Sequence, residues 1–193
     1  MGRAGGPLRS RLAAGAAAAL ALAACASAPS TVYDLSAPRP PAARPLRAQF
    51  RIAQPVATLD LDSERILVRD GLTLALLSGG RWPQQLSSLF RARLVEAFQN
   101  AGLARSVDGG AATADYELDL DIRAFELDAE TSEAHVDVAA KIVALNSGRV
   151  ADVEIFTANS PVASRDAATA VAALDQAAAK VMTKIVAFVA RRL

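Results

Sequence analysis

Alternation of apolar and polar residues predicts three consecutive strands in the second half of the chain. The clearest alternating run covers 116–124, and a change of phase after it predicts a bulge near Ala124. A second run covers 136–142. Asn146-Ser147-Gly148 is typical of the loop that would join it to a returning strand around 153–156.

The first half contains shorter runs of the same kind. Alternation over 46–52 predicts one strand. Two β-rich runs, 66–69 and 72–76, flank Asp70-Gly71, which is a strong hairpin signal. Ser78-Gly79-Gly80 interrupts the pattern. It is interpreted as a flexible turn, because it is too short and unpatterned to be a phosphate-binding loop.

Helical spacing of apolar residues predicts two helices. Pro83 suits the first turn of the first helix, and Gly102 its end. The apolar stripe of this helix is Leu86, Leu89, Phe90, Leu94, Ala97 and Phe98. The second helix covers 166–192, with a stripe formed by Val171, Leu174, Ala178, Val181, Met182, Ile185 and Val189. Phe188 lies off that stripe and is a candidate for an exposed apolar contact.

Two amphipathic helices need an apolar surface, and a sheet with one apolar face supplies it. We therefore expect an α/β fold, a two-layer sandwich with a mostly antiparallel sheet and both helices on one face. The predicted domain covers 47–193. It is long enough to bury a core of ordinary size.

The N-terminal residues have the features of a secretion signal. Arg3, Arg9 and Arg11 precede an uncharged run over 12–24 that would form a helix only about 20 Å long, whereas a bilayer core is about 30 Å thick. Residues 1–24 are therefore predicted to be a signal peptide. Residues 25–46 are rich in proline, so we expect a semi-rigid tether. Val32, Tyr33 and Leu35 interrupt its polarity and are candidates for docking on the domain.

Composition and charge exclude several classes of protein. The chain has 193 residues, a formal net charge of +1, one Cys and one His. A disulfide framework and a zinc site of His and Cys within one chain are therefore excluded. Without a basic excess, a nucleic-acid partner is disfavoured. No cofactor or metal is expected.

Leu22-Ala23-Ala24-Cys25 resembles the lipobox of bacterial lipoproteins. Its small side chains suit a peptidase that binds extended backbone, and a thiolate is a good nucleophile for acylation. The resemblance implies that Cys25 becomes the mature N-terminus and carries lipid on its sulfur and its amine. Ala26 stands where an Asp would signal inner-membrane retention, so the resemblance implies the outer membrane.

Three further features are weighed as sites. His135 would have to serve any Ser-His-Asp enzyme, yet it lies in mid-strand, where a structural or exposed histidine is the simpler interpretation. Trp82 is a candidate partner contact, with core packing as the alternative. Asp115, Glu117, Asp119 and Asp121 form an acidic row on one strand face. Three interpretations of that row stay open: a cation site, a docking face for a basic partner, and a solvated surface without a partner.

The order of motifs along 33–193 resembles the ABC-type transport auxiliary lipoprotein component family, which includes paraquat-inducible protein C. After the lipobox come Tyr33-Asp34-Leu35, then the helix entry Arg81-Trp82-Pro83-Gln84-Gln85-Leu86, then a strand ending in Phe125-Glu126 and an Ala-rich final helix. The segment Leu59-Asp60-Leu61-Asp62 departs from the Pro-x-Tyr-Leu that is typical of the family.

The resemblance implies a non-enzymatic role. Such proteins accompany ABC transporters bearing mammalian-cell-entry (MCE) proteins, which move phospholipids or other apolar molecules between two membranes. The expected function is a docking adaptor on the outer membrane facing the periplasm. Its partners would be an MCE protein and the ABC subunits, and a homo-oligomeric ring would suit a tubular partner. The alternatives are a structural or assembly lipoprotein without a transporter partner, and a periplasmic hydrolase.

Overall fold

The alternating runs of the sequence form a mixed sheet, which two helices accompany. The computed structural model describes residues 30–46, 48–103, 107–108, 114–164 and 166–193. Within these residues the helices are α1 (Leu86–Asn100) and α2 (Ala167–Arg192). The strands are β1 (Thr31–Val32), β2 (Phe50–Ile52), β3 (Val56–Ala57), β4 (Arg65–Asp70), β5 (Thr73–Arg81), β6 (Val107–Asp108), β7 (Tyr116–Asp128), β8 (Glu133–Ala144) and β9 (Arg149–Pro161).

Strand β7 is the centre of the sheet. Along one edge it pairs with β8 over its whole length. Along the other edge three short strands follow one another in parallel with it: β2 beside 116–118, β3 beside 121–122 and β4 beside 126–128. The long ladders β4–β5, β7–β8 and β8–β9 are antiparallel, so the mixed α/β class and the mostly antiparallel sheet are confirmed. The two-layer arrangement stays a prediction.

The two predicted hairpins and the bulge are confirmed. Gly71 and Gly148 stand in the turns with positive φ, a conformation that glycine adopts without a steric penalty. The β7–β8 register shifts between Ile122 and Ala124, where the sequence changes phase. Because of this bulge, Phe125 and Leu127 continue the buried face that Ile122 belongs to.

Helix α2 covers the apolar side of β8 and β9. Its N-cap, Asp166, accepts a hydrogen bond from the backbone N–H of Thr169 at 3.0 Å. The whole predicted stripe of the helix is buried. Phe188 is also buried, fully, and its ring packs edge-on against Phe156 with centroids 5.6 Å apart. The expectation of an exposed contact at Phe188 is wrong, because the helix buries a wider arc than the stripe alone.

Helix α1 buries the predicted stripe and ends as predicted, with Gly102 at φ +85°. Its start differs from the prediction. Gln85 is the N-cap, so Pro83 lies outside the first turn, in the segment that joins β5 to the helix. The helix lies against β2, where Phe98 packs edge-on to Phe50 with centroids 4.9 Å apart.

Ser78-Gly79-Gly80 is part of β5 and not a turn, which corrects the expectation. Small residues are used here for close packing. A Cβ on Gly80 would lie 3.1 Å from the Tyr33 ring and 3.2 Å from Ala167 Cβ. The backbone of β1 also pairs here, with Thr31 beside Gly80. The glycine therefore lets the N-terminal segment and α2 approach the strand.

The described part of the predicted tether lies on the domain. Leu35 is buried, as its proposed docking requires. Ser36 N donates to Asp175 of α2 at 2.7 Å, and Ala43 N donates to Ala101 O after α1 at 2.9 Å. Residues 31–43 thus belong to the folded body. A free spacer stays a prediction only for residues before them, and residues 25–29 lie outside the described part of the chain.

Two lysines of α2 cover part of the outer edge of β9. Lys180 Nζ donates to Asn159 O at 2.8 Å, and Lys184 Nζ donates to Thr157 O at 2.7 Å. Strand β9 pairs only with β8 among the described strands. The lysines therefore satisfy carbonyl groups that no neighbouring strand bonds.

The burial of Phe188 leads to a stability prediction. Phe188→Ala removes a fully buried ring and leaves a cavity beside Phe156, so the free energy of unfolding should fall by about 3–5 kcal/mol in urea denaturation. Val153→Ala, at a side chain that is 53% exposed, is the control and should change it by less than about 0.5 kcal/mol. Equal effects of the two substitutions would contradict this placement of Phe188.

Candidate docking surface

The side of the sheet turned away from the buried face of β7–β9 is here named the open face. It carries the odd-numbered side chains 117–121 of β7, 135–143 of β8 and 153–159 of β9. Alternation dictates this division, because successive side chains of a strand point to opposite sides. The even-numbered residues of β8 from 134 to 142 are all buried, so their odd-numbered neighbours remain to form the surface.

The acidic row of the sequence lies at the start of this face. Asp115 Oδ2 accepts from Gln49 N at 2.9 Å and so ties β7 to the segment before β2. Glu117 forms an ion pair with Arg51 of β2 at 2.5 Å. The repulsion expected within the row is thus relieved in part by a neighbouring arginine.

Asp119 is the most perturbed member of the row. Burial raises the pKa of Asp119 above its ordinary value of 3.8, and the neighbouring Glu117 raises it further. Lys141, the cross-strand neighbour on β8, opposes the shift. At neutral pH the ionised carboxylate of Asp119 is therefore destabilising, because it is half-buried and lies next to Glu117.

A trough of about 460 Å³ runs across the middle of the open face. Asp119 and Asp121 line it from β7, Ala139 and Lys141 line it from β8, and Val56 and Val153 border it from β3 and β9. The trough is deep at its centre because the side chain there is an alanine, which is small. The trough thus combines apolar walls with both signs of charge, which is the composition of a binding surface.

Large apolar side chains stand exposed at the trough and beside it. Val56 is 62% exposed, Val153 53% and Ile155 54%. Sequence reasoning placed Val153 and Ile155 in a strand but did not recognise them as surface residues. The alternation along β9 could have indicated this. Phe156 is buried, and its neighbour Ile155 therefore points to the opposite side of the sheet.

His135 is also on the open face. Its Nδ1 is 2.7 Å from Asn159 Oδ1, and Asn159 Nδ2 donates to Glu133 at 2.7 Å. These three side chains link β8 to β9 across the ladder. The arrangement supports the structural interpretation of His135, because its ring nitrogen is engaged with an amide and not with a nucleophile.

Trp82 is 1% exposed, and its ring packs edge-on against Phe125 at 5.8 Å between centroids. The structure thus places Trp82 in the core, which favours the packing alternative. Its backbone N–H donates to Glu64 O at 2.7 Å, which holds the entry to α1 against the start of β4. Cys25, the predicted lipidation site, lies outside the described residues.

The residues that the structure describes include no cluster of three His, Cys, Asp or Glu side chains suited to a metal ion. Over the same residues, neither helix is long and apolar enough to span a bilayer.

The fold is a mixed α/β domain in which α2 covers one side of β8 and β9 and the open face lies on their other side. Residues 33–186 match the family of ABC-type transport auxiliary lipoprotein components, and the chain belongs to that family. The resemblance predicted from the sequence is therefore confirmed.

Relatives support the same assignment. An uncharacterized protein of Bradyrhizobium diazoefficiens is 31% identical over 169 residues, which are 83% of this chain and 45% of that relative. The chain thus spans less than half of the relative's length. A crystallised protein of Xanthomonas campestris is 30% identical with a TM-score of 0.74, covering 84% of this chain and 96% of its own.

A more distant structure shares the fold alone. It is a hypothetical protein of Chlamydia trachomatis, 10% identical with a TM-score of 0.53, covering 76% of this chain and 98% of that one.

The environment of Asp119 predicts that its replacement by a neutral residue stabilises the protein in a pH-dependent way. Asp119→Asn should raise the melting temperature at pH 7 by on the order of 1–2 °C, because the carboxylate that burial and Glu117 disfavour is replaced by a neutral amide. The raised pKa means that the penalty is present when the group is ionised and is lost as the pH falls through the folded-state pKa. The advantage should therefore disappear below about pH 4.

Thermal unfolding followed by circular dichroism between pH 3 and pH 8 measures this difference. Asp121→Asn, at an exposed position on the same strand, is the matched control and should show no comparable gain. A stability difference for Asp119→Asn that stays constant over this range would contradict the proposed cause.

Proposed function

We propose that the protein is an outer-membrane-anchored periplasmic accessory lipoprotein of an MCE-type ABC transport system, and that it acts as a docking adaptor. The observation that carries the proposal is the family match over 33–186, which spans almost the entire described body. In this proposal the transport system moves phospholipids or other apolar molecules between the two membranes. The chain binds its partner and catalyses no step.

The open face is the surface we propose for the MCE partner. Its exposed valines and isoleucine offer apolar area, and the trough provides a concave place for a partner segment. Asp119 and Asp121 favour a partner segment that carries basic residues beside apolar ones. The opposite side of β8 and β9 is already occupied by α2.

The anchor in this proposal is the acylated Cys25. Several acyl chains hold a protein stably on a bilayer, at about 0.8 kcal/mol for each buried CH₂. The chain reaches the domain at Thr31, six residues later, so the body would lie close to the membrane. A ring of several copies would surround a tubular partner, and this also remains part of the proposal.

A photo-crosslinking experiment tests the adaptor role. A photoreactive amino acid at position 153 of the acylated protein should capture an MCE protein from membranes, identified together with its ABC subunits by mass spectrometry. The same amino acid at position 172, on the exposed side of α2, is the matched control and should capture much less. Stronger capture at 172 than at 153 would move the docking surface to the helix side.

The same preparation distinguishes the alternative role. An acylated N-terminal Cys25 without any MCE or ABC subunit in the crosslinked material would favour a structural or assembly lipoprotein. An N-terminus that carries no lipid would overturn the anchor itself.

A further inference from the structure

The β4–β5 hairpin carries the largest exposed apolar side chains at one end of the sheet. Leu74 and Leu76 alternate along β5 and share one side of it, and Leu72 lies in the turn directly before the strand. Leu72 is fully exposed, Leu76 is 50% exposed and Leu74 42%. A stripe of three leucines that ends in a protruding turn is unusual for a surface that meets only water.

The direction of β1 relates this hairpin to the N-terminal anchor. Strand β1 runs parallel to β5, with Thr31 beside Gly80 and Val32 beside Arg81. The residue that precedes Thr31 therefore lies toward the hairpin end of β5 and not toward α1. The chain thus enters the domain from the side of the leucine stripe.

Two distances indicate that Cys25 and the hairpin tip can lie at a similar height relative to the membrane. Cys25 is six residues before Thr31, so it reaches at most about 21 Å from it. Leu72 is eight residues before Gly80, but β5 has three extra residues opposite β4, because Leu76 faces Leu67 and Arg81 faces Arg65. The hairpin turn is therefore only about 17 Å from Gly80 along the ladder. With the anchor extended in the direction of β1, the reach of Cys25 exceeds the distance to the hairpin tip by about 4 Å, so the tip and the anchored residue can lie at the same level of the membrane.

We propose that the stripe of Leu72, Leu74 and Leu76 is a membrane-contacting tip, which enters the headgroup and upper acyl region of the leaflet that holds the acyl chains of Cys25. This inference rests on the lipidation of Cys25 in the proposed function. The tip fixes the orientation of the body, whereas the acyl chains alone would only limit its distance from the bilayer.

The charges around the tip indicate which lipid it meets. Asp70 pairs with Thr73 at the end of the hairpin, and Glu130 of the β7–β8 turn lies beside Gly71. Asp128 is held nearby by hydrogen bonds from the backbone N–H groups of Glu130 and Thr131. These acids disfavour an anionic surface, so the contact is apolar and suited to zwitterionic phospholipid.

The proposed orientation keeps the trough accessible. Asp128 lies beside Arg69 at the hairpin end of β7, whereas the trough is lined by Asp121, seven residues earlier. Because of the bulge, that distance is about 20 Å along the ladder. A partner can therefore approach the open face while the leucines are in the membrane.

A site-specific fluorescence experiment tests the tip. Acylation of Cys25 blocks the only native thiol, so Leu72→Cys introduces a single site for the polarity-sensitive dye NBD. In phosphatidylcholine vesicles that hold the acylated protein, the dye at 72 should emit at shorter wavelength. It should also be quenched several-fold more strongly by shallow nitroxide lipids than the dye at 147. Ser147→Cys, in the β8–β9 turn at the other end of the sheet, is the matched control.

Equal quenching at 72 and 147 would overturn the inference. Crosslinks between two Leu72→Cys chains in the same vesicles, with no lipid quenching, would also overturn it by assigning the stripe to a second copy. Leu72→Asp combined with Leu74→Asp should leave the protein anchored but remove the quenching of a dye at 76 (Leu76→Cys). Mass spectrometry of the N-terminus in each sample measures the lipidation of Cys25 independently of the tip. Capture of the MCE protein measures the adaptor role independently of both.

Discussion

The close contact between α2 and the sheet is the constraint on which the rest of the molecule depends. Alanines are buried on both sides of this contact, four on the helix and three on the strands: Ala170, Ala173, Ala177, Ala178, Ala134, Ala140 and Ala158. Small side chains bring backbones near one another, so the surface is extensive without many aromatic residues. Because this side of the sheet is fully used, only the open face and the ends of the strands remain for other contacts.

Strand β7 transmits that constraint to the rest of the sheet. Three short strands pair with it in succession, and an ion pair between Arg69 of β4 and the buried Glu126 of β7 secures the last of them. A buried carboxylate that lost this arginine would be strongly unfavourable. The end of β4 next to the hairpin turn is therefore fixed to β7, while Leu72 in the turn stays fully exposed.

Local pattern predicted most of the fold and less of the surface. Alternation and helical spacing are local, so β7, β8 and both helix stripes followed from them. Ser78-Gly79-Gly80 was interpreted wrongly because Gly80 serves contacts with Tyr33 and Ala167, which are distant in sequence. Phe188 was misplaced for the same kind of reason, since its partner Phe156 is in another element. The docking surface needed the pairing of β3, β7, β8 and β9, which no single stretch of sequence specifies.

The lysines on the edge of β9 would have a consequence for a protein that the proposed anchor confines to a membrane surface. Confinement to a surface raises the frequency with which copies meet side by side, and a long bare strand edge would then add strand upon strand without limit. Lys180 and Lys184 donate hydrogen bonds to the carbonyl groups of Asn159 and Thr157. A strand of another copy would have to displace both ammonium groups before it could pair with this edge. The helix that packs on the sheet thus also protects this part of the β9 edge against pairing with another strand.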